Sequence, residues 1–288
     1  VLIGGKAGQG INKISQIISD VMADQGYFTF NYRDYPSIIR GGHNFNILTI
    51  SNERVGSHES KIDFILAMDK NTIKVHKKEL KKGGIIIANE QFKDLGINLN
   101  IALAGAFIKL LGINKTILLS EIKKTLNSKE SVKAAEQGFD SQEVKFNLKK
   151  IKNKIKIMSG SQAIAKGAIN SKIDRYIAYP MTPATGVMHE LAAKQIEHNY
   201  MVFQPENEIA VVNAALGASF TGAKTMIGTS GGGFDLMSEG LSLQGITEIP
   251  LVTYLASRPG PGTGVPTYST QGDLNIALRA GHGEFPRI

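Results

Sequence analysis

The side chains of this sequence best suited to chemistry are carboxylates, hydroxyls and arginines set among glycines and prolines. Pro205-Glu206-Asn207-Glu208 leads into a small-residue run that reaches Gly217 and Gly222, and Thr229-Ser230-Gly231-Gly232-Gly233 follows a short apolar stretch. A carboxylate at a helix start is favoured by the helix dipole whether or not it binds anything, so either glutamate can be a plain cap. Tyr179-Pro180-Met181-Thr182-Pro183 places two prolines after an apolar segment. The residue before a proline is forced extended, so Thr182 is held rigidly and can present its hydroxyl to a ligand. A rigid turn explains the same residues. Near the start, Gly4-Gly5-Lys6-Ala7-Gly8-Gln9-Gly10 has the form of a loop whose N–H groups, with a helix N-terminus, favour an anion. No Gly-Lys-Ser/Thr follows, so it is not a P-loop. No acidic residue closes a second strand at dinucleotide distance, and a tight structural turn is an equal reading. Tyr35-Pro36-Ser37-Ile38-Ile39-Arg40-Gly41-Gly42-His43 sets an arginine beside paired glycines, suited to an anion or to an exposed hairpin. His43 has no metal-spaced partners in the sequence. Arg258-Pro259-Gly260-Pro261-Gly262-Thr263-Gly264-Val265-Pro266-Thr267 is stiff and shaped. Loops this long in a compact domain are often functional.

Elements must hold these residues in place, and the apolar spacing supplies them. Residues 1–5 read as a buried strand. Ile11, Ile14, Ile17, Ile18, Val21 and Met22 recur at helical spacing over 11–25. Strand, glycine loop and helix form the opening of a Rossmann-like unit. Strands are expected at 28–32, 44–50, 64–68 and 84–88, and helices at 99–111 and 115–126. The first half is therefore α/β with antiparallel additions. The stretch 138–156 is polar, and Lys145, Lys149, Lys150, Lys152, Lys154 and Lys156 crowd its second part. It reads as an interdomain linker. The pattern then restarts. Helices are expected at 159–170, 185–194, 208–220 and 236–244, with strands at 176–179, 225–228 and 250–256. Residues 231–233 read as a glycine loop. Alternating strands and helices imply a parallel sheet with ligands at its carboxyl edge.

The 288 residues suggest two domains, each large enough for a core. Cysteine is absent, so neither a disulfide nor an all-cysteine iron–sulfur cluster can form within this chain. No secretory signal or bilayer-length apolar run is present, which points to a cytoplasmic protein with no membrane association. The net charge of +8 includes lysine clusters almost without interleaved aromatics. A nucleic-acid surface would want stacking partners, so solvated faces or an acidic protein partner fit better.

Taken together, these segments resemble the alpha subunit of 2-oxoacid:ferredoxin oxidoreductases in the form with a gamma domain fused ahead of it. The gamma half matches through residues 4–10 and 35–44. The alpha half matches through residues 179–183, Glu208, residues 229–233 and residues 258–287. The 2-oxoglutarate type fits best, through the Arg258 loop and the Gly-His-Gly-Glu-Phe-Pro-Arg ending. The resemblance implies a gamma domain over 1–142, a linker over 143–156, and a pyrimidine-binding, parallel-sheet domain of the thiamine diphosphate enzymes over 157–288. Full-length alpha chains normally continue further, so the chain is expected to be cut short.

By spacing to Gly217 and Gly222, Glu208 is the glutamate that the resemblance assigns to N1′ of the cofactor ring, with Glu206 the weaker match. Tyr179, Pro180 and Thr182 would line the cofactor, and Thr182, Arg258 and Thr267 the substrate. Gly8, Gln9, Gly10 and Arg40 form a candidate anion loop, and no metal ligand is expected here. The sequence lacks a Gly-Asp-Gly motif with a downstream asparagine, the usual signature of diphosphate and Mg²⁺ binding. In this family the beta subunit carries it, with the cluster cysteines, so thiamine diphosphate is expected to be shared with a beta chain. Coenzyme A is the implied co-substrate and ferredoxin the electron acceptor. Met181 stands where isoleucine is common, and Gly262 where serine is common. Three other readings compete. They are a non-oxidative decarboxylase subunit with the same cofactor domain, a Rossmann-type nucleotide-binding redox protein, and a purely structural subunit.

Overall fold

The computed structural model describes residues 1–34, 42–257, 273–283 and 286. Arg40, Arg258 and Thr267 lie outside them. The chain forms two compact units, Val1–Ile157 and Met158–Ile288.

The first unit holds strands β1 (Leu2–Lys6), β2 (Phe28–Asp34), β3 (His43–Ser51), β4 (Ile62–Ala67) and β5 (Leu80–Ala88). Its helices are α1 (Ile11–Asp24), α2 (Lys70–His76), α3 (Leu99–Leu110), α4 (Lys115–Leu126) and α5 (Lys129–Asp140). The sheet order is β2-β3-β1-β4-β5. β1 runs parallel to β4 and antiparallel to β3, and β2 is an antiparallel edge. The opening strand and helix thus lead to a distant edge strand, and the parallel neighbour of β1 comes later in the chain. The isoleucines of α1 are buried in one core with α3, a helix of small and branched residues. α5 reaches α3 through glycines: a Cβ on Gly138 would collide with the Ala102 backbone, and one on Gly105 with the Ala135 carbonyl. The lysine-rich stretch is laid along this unit. Phe146 and Leu148 donate backbone hydrogen bonds to Leu110 and Leu111, and Ile151 donates to Gln25.

The second unit holds β6 (Arg175–Ile177), β7 (Met201–Phe203), β8 (Thr225–Ser230) and β9 (Val252–Ala256). Around them lie α6 (Gly160–Asn170), α7 (Thr185–Ala192), α8 (Gln195–His198), α9 (Glu208–Phe220), α10 (Gly231–Leu236), α11 (Ser238–Thr247) and α12 (Asp273–Arg279). All pairings in the order β7-β6-β8-β9 are parallel. The sequence reading made 231–233 a loop; these glycines are the first turn of α10. Glycine is a poor helix former, but here its missing side chain makes room for buried polar groups. Among the described residues, no helix is long and apolar enough to cross a membrane.

Candidate functional site

Parallel strands bring their following loops to one edge of a sheet. In the second unit that edge gathers residues 179–183 after β6, the α9 start after β7, and the β8–α10 turn. Asn207 caps α9 by accepting a hydrogen bond from the Ala210 N–H at 2.8 Å. The cap role is therefore filled by Asn207. That leaves Glu208, the first helical residue, for another use. Its side chain is 3% exposed, whereas Glu206 is exposed.

The Oε1 of Glu208 is buried and has no hydrogen-bond partner. A buried acceptor left unmade costs about 1–3 kcal/mol, more when charged, so this oxygen calls for a donor. The carboxylate reaches α10 because Gly233 has no side chain. A Cβ there would lie 2.8 Å from both Cγ and Oε1 of Glu208 and would collide with the Thr229 hydroxyl. Thr229 and Ser230 are fully buried, and the Ser230 Oγ also lacks a partner. Tyr176 is buried beneath β8, its hydroxyl against Gly228 and unpartnered. Burial, then Tyr254, pushes its phenol well above the usual tyrosine range. Asp273 is 9% exposed, with its carboxylate against Gly231. Burial, then Asp273, raises the Asp235 carboxyl.

The structure places Tyr179, Pro180 and Thr182 at the same carboxyl edge, with Tyr179 37% exposed and Thr182 exposed. The sequence reading gave no role to Tyr176 or Asp273. Asp273 had a signal, since it follows the glycine-proline-rich loop in Gln271-Gly272-Asp273-Leu274. Tyr176 had none beyond being a tyrosine in a buried strand.

The first unit brings Gly8, Gln9 and Gly10 together at the start of α1. Gly8 and Gly10 have φ of 90° and 80°, and α1 has no side-chain cap. Its first N–H groups therefore lack intrahelical acceptors. Lys6 N donates to Gln9 Oε1 at 2.6 Å, and Asn100 Nδ2 to the Gln9 carbonyl at 3.1 Å. These residues line a cavity of about 280 Å³ with Met68 and Leu99. Among the described residues, no three His, Asp or Glu side chains are grouped to hold a metal ion.

Comparison with known proteins gives the same division. Residues 166–288 match the family model described as pyruvate flavodoxin/ferredoxin oxidoreductase, thiamine diphosphate-binding. Residues 1–98 match the model described as pyruvate ferredoxin/flavodoxin oxidoreductase. The chain is 29% identical to the 2-oxoacid:ferredoxin oxidoreductase subunit alpha of a Sulfolobus species, over 100% of this chain and 58% of that protein. It is 39% identical to the 2-oxoglutarate synthase subunit KorA of Archaeoglobus fulgidus, over 46% of this chain and 39% of that protein. Among solved structures it is similar to 2-oxoglutarate:ferredoxin oxidoreductase from Magnetococcus marinus with 2-oxoglutarate, coenzyme A and succinyl-CoA bound. That match has a TM-score of 0.85 and 25% identity, and covers 98% of this chain and 56% of the other. The chain thus spans 58–59% of the length of the first curated relatives it matches end to end.

Proposed function

Since the chain belongs to the 2-oxoacid:ferredoxin oxidoreductase alpha-subunit family, with a gamma-like domain ahead of a thiamine-diphosphate-binding domain, we propose that it completes the cofactor site of such an enzyme. The reaction would be the coenzyme-A-dependent oxidative decarboxylation of a 2-oxo acid, with electrons passed to ferredoxin. The observation that carries this reading is the buried, unpartnered Oε1 of Glu208 beside Gly233.

Bound thiamine diphosphate would supply the nucleophilic carbon and the electron sink that a 2-oxo acid needs to lose carbon dioxide. The residues present fit its ring. Glu208 would hold N1′ of the ring by accepting its hydrogen bond, and the cofactor would then supply the base through the imino form that this contact favours. Burial strengthens that bond by excluding water. Tyr179, Pro180 and Thr182 bound the pocket, and the Thr182 hydroxyl faces the substrate. Arg258 and Thr267 hold the substrate carboxylate, for which a guanidinium has the matching planar fork. The N–H groups around Gly8, Gln9 and Gly10, with Arg40, take an anionic group such as a coenzyme A phosphate.

A beta chain would supply the diphosphate–Mg²⁺ site and the iron–sulfur clusters, for which these 288 residues hold no cysteine. The preferred acid is 2-oxoglutarate. Its support is the Arg258 loop and the names of the Archaeoglobus and Magnetococcus relatives. Glu208→Ala in the assembled enzyme tests the site. Moving a proton through a placed group is worth about 10²–10⁴-fold, so viologen reduction with 2-oxo acid and coenzyme A should fall at least 10²-fold. The subunits should still copurify. Near-normal turnover would remove Glu208 from the reaction.

A further inference from the structure

The amino edge of the second unit's sheet, at the far end of its strands from Glu208, carries a separate cavity of about 510 Å³. That volume is in the range of small-molecule sites, about 300–1,000 Å³. The floor is the start of β8 and β9, with Thr225, Met226 and Val252. One wall is a single face of α6, formed by Ile164, Gly167, Ala168 and Ser171 at helical spacing. The other is the end of α9, where Ser219 stands about 16 Å along the helix from Glu208.

Two features indicate that this space is meant to be filled. Ser219 lines the cavity and is 4% exposed, yet its Oγ has no hydrogen-bond partner among the described residues. It does not take even the carbonyl one turn back, to which a helical serine often donates. A buried hydroxyl left unmade is costly, so it calls for a partner from outside the chain. Gly167 lies inside α6, where glycine is among the poorest choices. A Cβ there would meet nothing within 4 Å among the described residues, so the unit's own packing does not require a glycine. Its bare backbone leaves the cavity open.

The lining selects the ligand. The walls and floor are almost wholly hydrocarbon, so the occupant must be mostly apolar. Both α6 and α9 end at this cavity, and the carbonyl ends of two helices disfavour an anion. The exposed Lys224 at the rim disfavours a cation. The Ser219 hydroxyl can donate or accept, so a hydroxyl or carbonyl oxygen on the ligand would satisfy it. We propose that this cavity binds a small uncharged aliphatic molecule carrying one hydroxyl or carbonyl oxygen, which pairs with Ser219 while the hydrocarbon part lies between α6 and the amino ends of β8 and β9. The site shares no residue with the carboxyl edge, so it stands or falls apart from the cofactor reading.

The test uses the full chain labelled at its methionine methyl groups with ¹³C, and 1-hexanol as the probe. Met226 is 7% exposed on the cavity floor, and its signal is assigned with Met226→Leu. A saturable shift of Met226 is expected, with a Kd on the order of 1 mM for so small a molecule. Met22 and Met68, in the first unit, should not move. Hexanoate should bind at least about tenfold more weakly, because a carboxylate is desolvated on entry. Ser219→Ala should weaken hexanol by about 2–10-fold, the worth of one net hydrogen bond. It should not lower thermal stability, since it removes a buried hydroxyl that is unmade. Gly167→Leu fills the cavity from α6 and should abolish the shift while melting no lower than the natural chain. The proposal is overturned if Met226 shows no saturable shift, if hexanoate binds as tightly as hexanol, or if affinity is unchanged in Ser219→Ala or in Gly167→Leu. It is overturned as well if Met226 no longer responds to hexanol in the assembled enzyme, which would give the cavity to another subunit.

Discussion

Gly233→Ala separates the geometric claim about Glu208 from its chemistry. By helix propensity alone, alanine should be better than glycine by about 0.8–1 kcal/mol, and position 233 lies in the first turn of α10. The structure predicts the opposite sign. The new Cβ would sit 2.8 Å from Glu208 Cγ and Oε1, well inside contact distance, and closer still to the Thr229 hydroxyl. Both neighbours are buried, so neither swings into solvent. Forcing a methyl into a packed site costs about 1–3 kcal/mol, which after the propensity gain leaves a net loss of up to about 2 kcal/mol. For a unit of this size, that lowers the melting temperature by several degrees, on the order of 4–8 °C per kcal/mol at most. Gly217, inside α9, is the control, because a Cβ there meets nothing within 4 Å. Gly217→Ala should gain about 0.4–1 kcal/mol. Thermal melts of the two variants give opposite shifts on this reasoning. In the assembled enzyme Gly233→Ala should also lower turnover by about 10–10²-fold, the scale of an ångström of misplacement in a reacting group. If Gly233→Ala melts above the natural chain, as Gly217→Ala should, the close approach of Glu208 to α10 is wrong.

Gly138→Ala should be among the most damaging single methyl additions in the first unit. Its Cβ would meet the backbone of Ala102 rather than a movable side chain, and a loss of about 3 kcal/mol or more is expected in denaturant melts. On the proposed carboxylate-binding role of Arg258, Arg258→Lys should raise the KM for the 2-oxo acid while leaving kcat largely intact, because a point charge would replace a two-pronged contact made alike in the ground and transition states. Steady-state rates of the assembled enzyme at saturating coenzyme A separate the two constants.

Elements with bulky apolar residues at regular spacing were legible in the sequence. The isoleucines of α1 gave its span to within a residue, and α4 was read at its observed bounds. α5 was missed because its buried face is Ser131, Ala134, Ala135, Gly138 and Phe139. Small residues carry little hydropathy, and their value here lies in letting α5 approach the α3 backbone. β7 was missed because it has three residues, two of them exposed, at a sheet edge. The three glycines of α10 read as a loop because propensity is local, while their reason for being small lies in Glu208 and Asp273, 25 and 42 residues from Gly233 and Gly231. Spacing singled out Glu208 from Glu206; burial gives the physical reason, since only Glu208 turns inward. His43 read as a lone histidine because its partner His76 is 33 residues away.

The glycines along β8 and α10 have a common use. Gly228 admits the Tyr176 hydroxyl, Gly231 the Asp273 carboxylate, and Gly233 the Glu208 carboxylate with the Thr229 hydroxyl. Space that side chains would otherwise fill is occupied by oxygen atoms from β6, α9 and α12. Packing alone does not account for this, since apolar side chains would fill the same volume without desolvating two carboxylates. Burial first, and then the Asp273 carboxylate, raises the Asp235 carboxyl, so negative charge gathers in a partly buried place. A ring that donates a hydrogen bond would offset the penalty at the Glu208 oxygen. On the proposed function, the aminopyrimidine of thiamine diphosphate would be that ring. On this argument the buried Glu208 carboxylate lowers folding stability and gives selective binding in return.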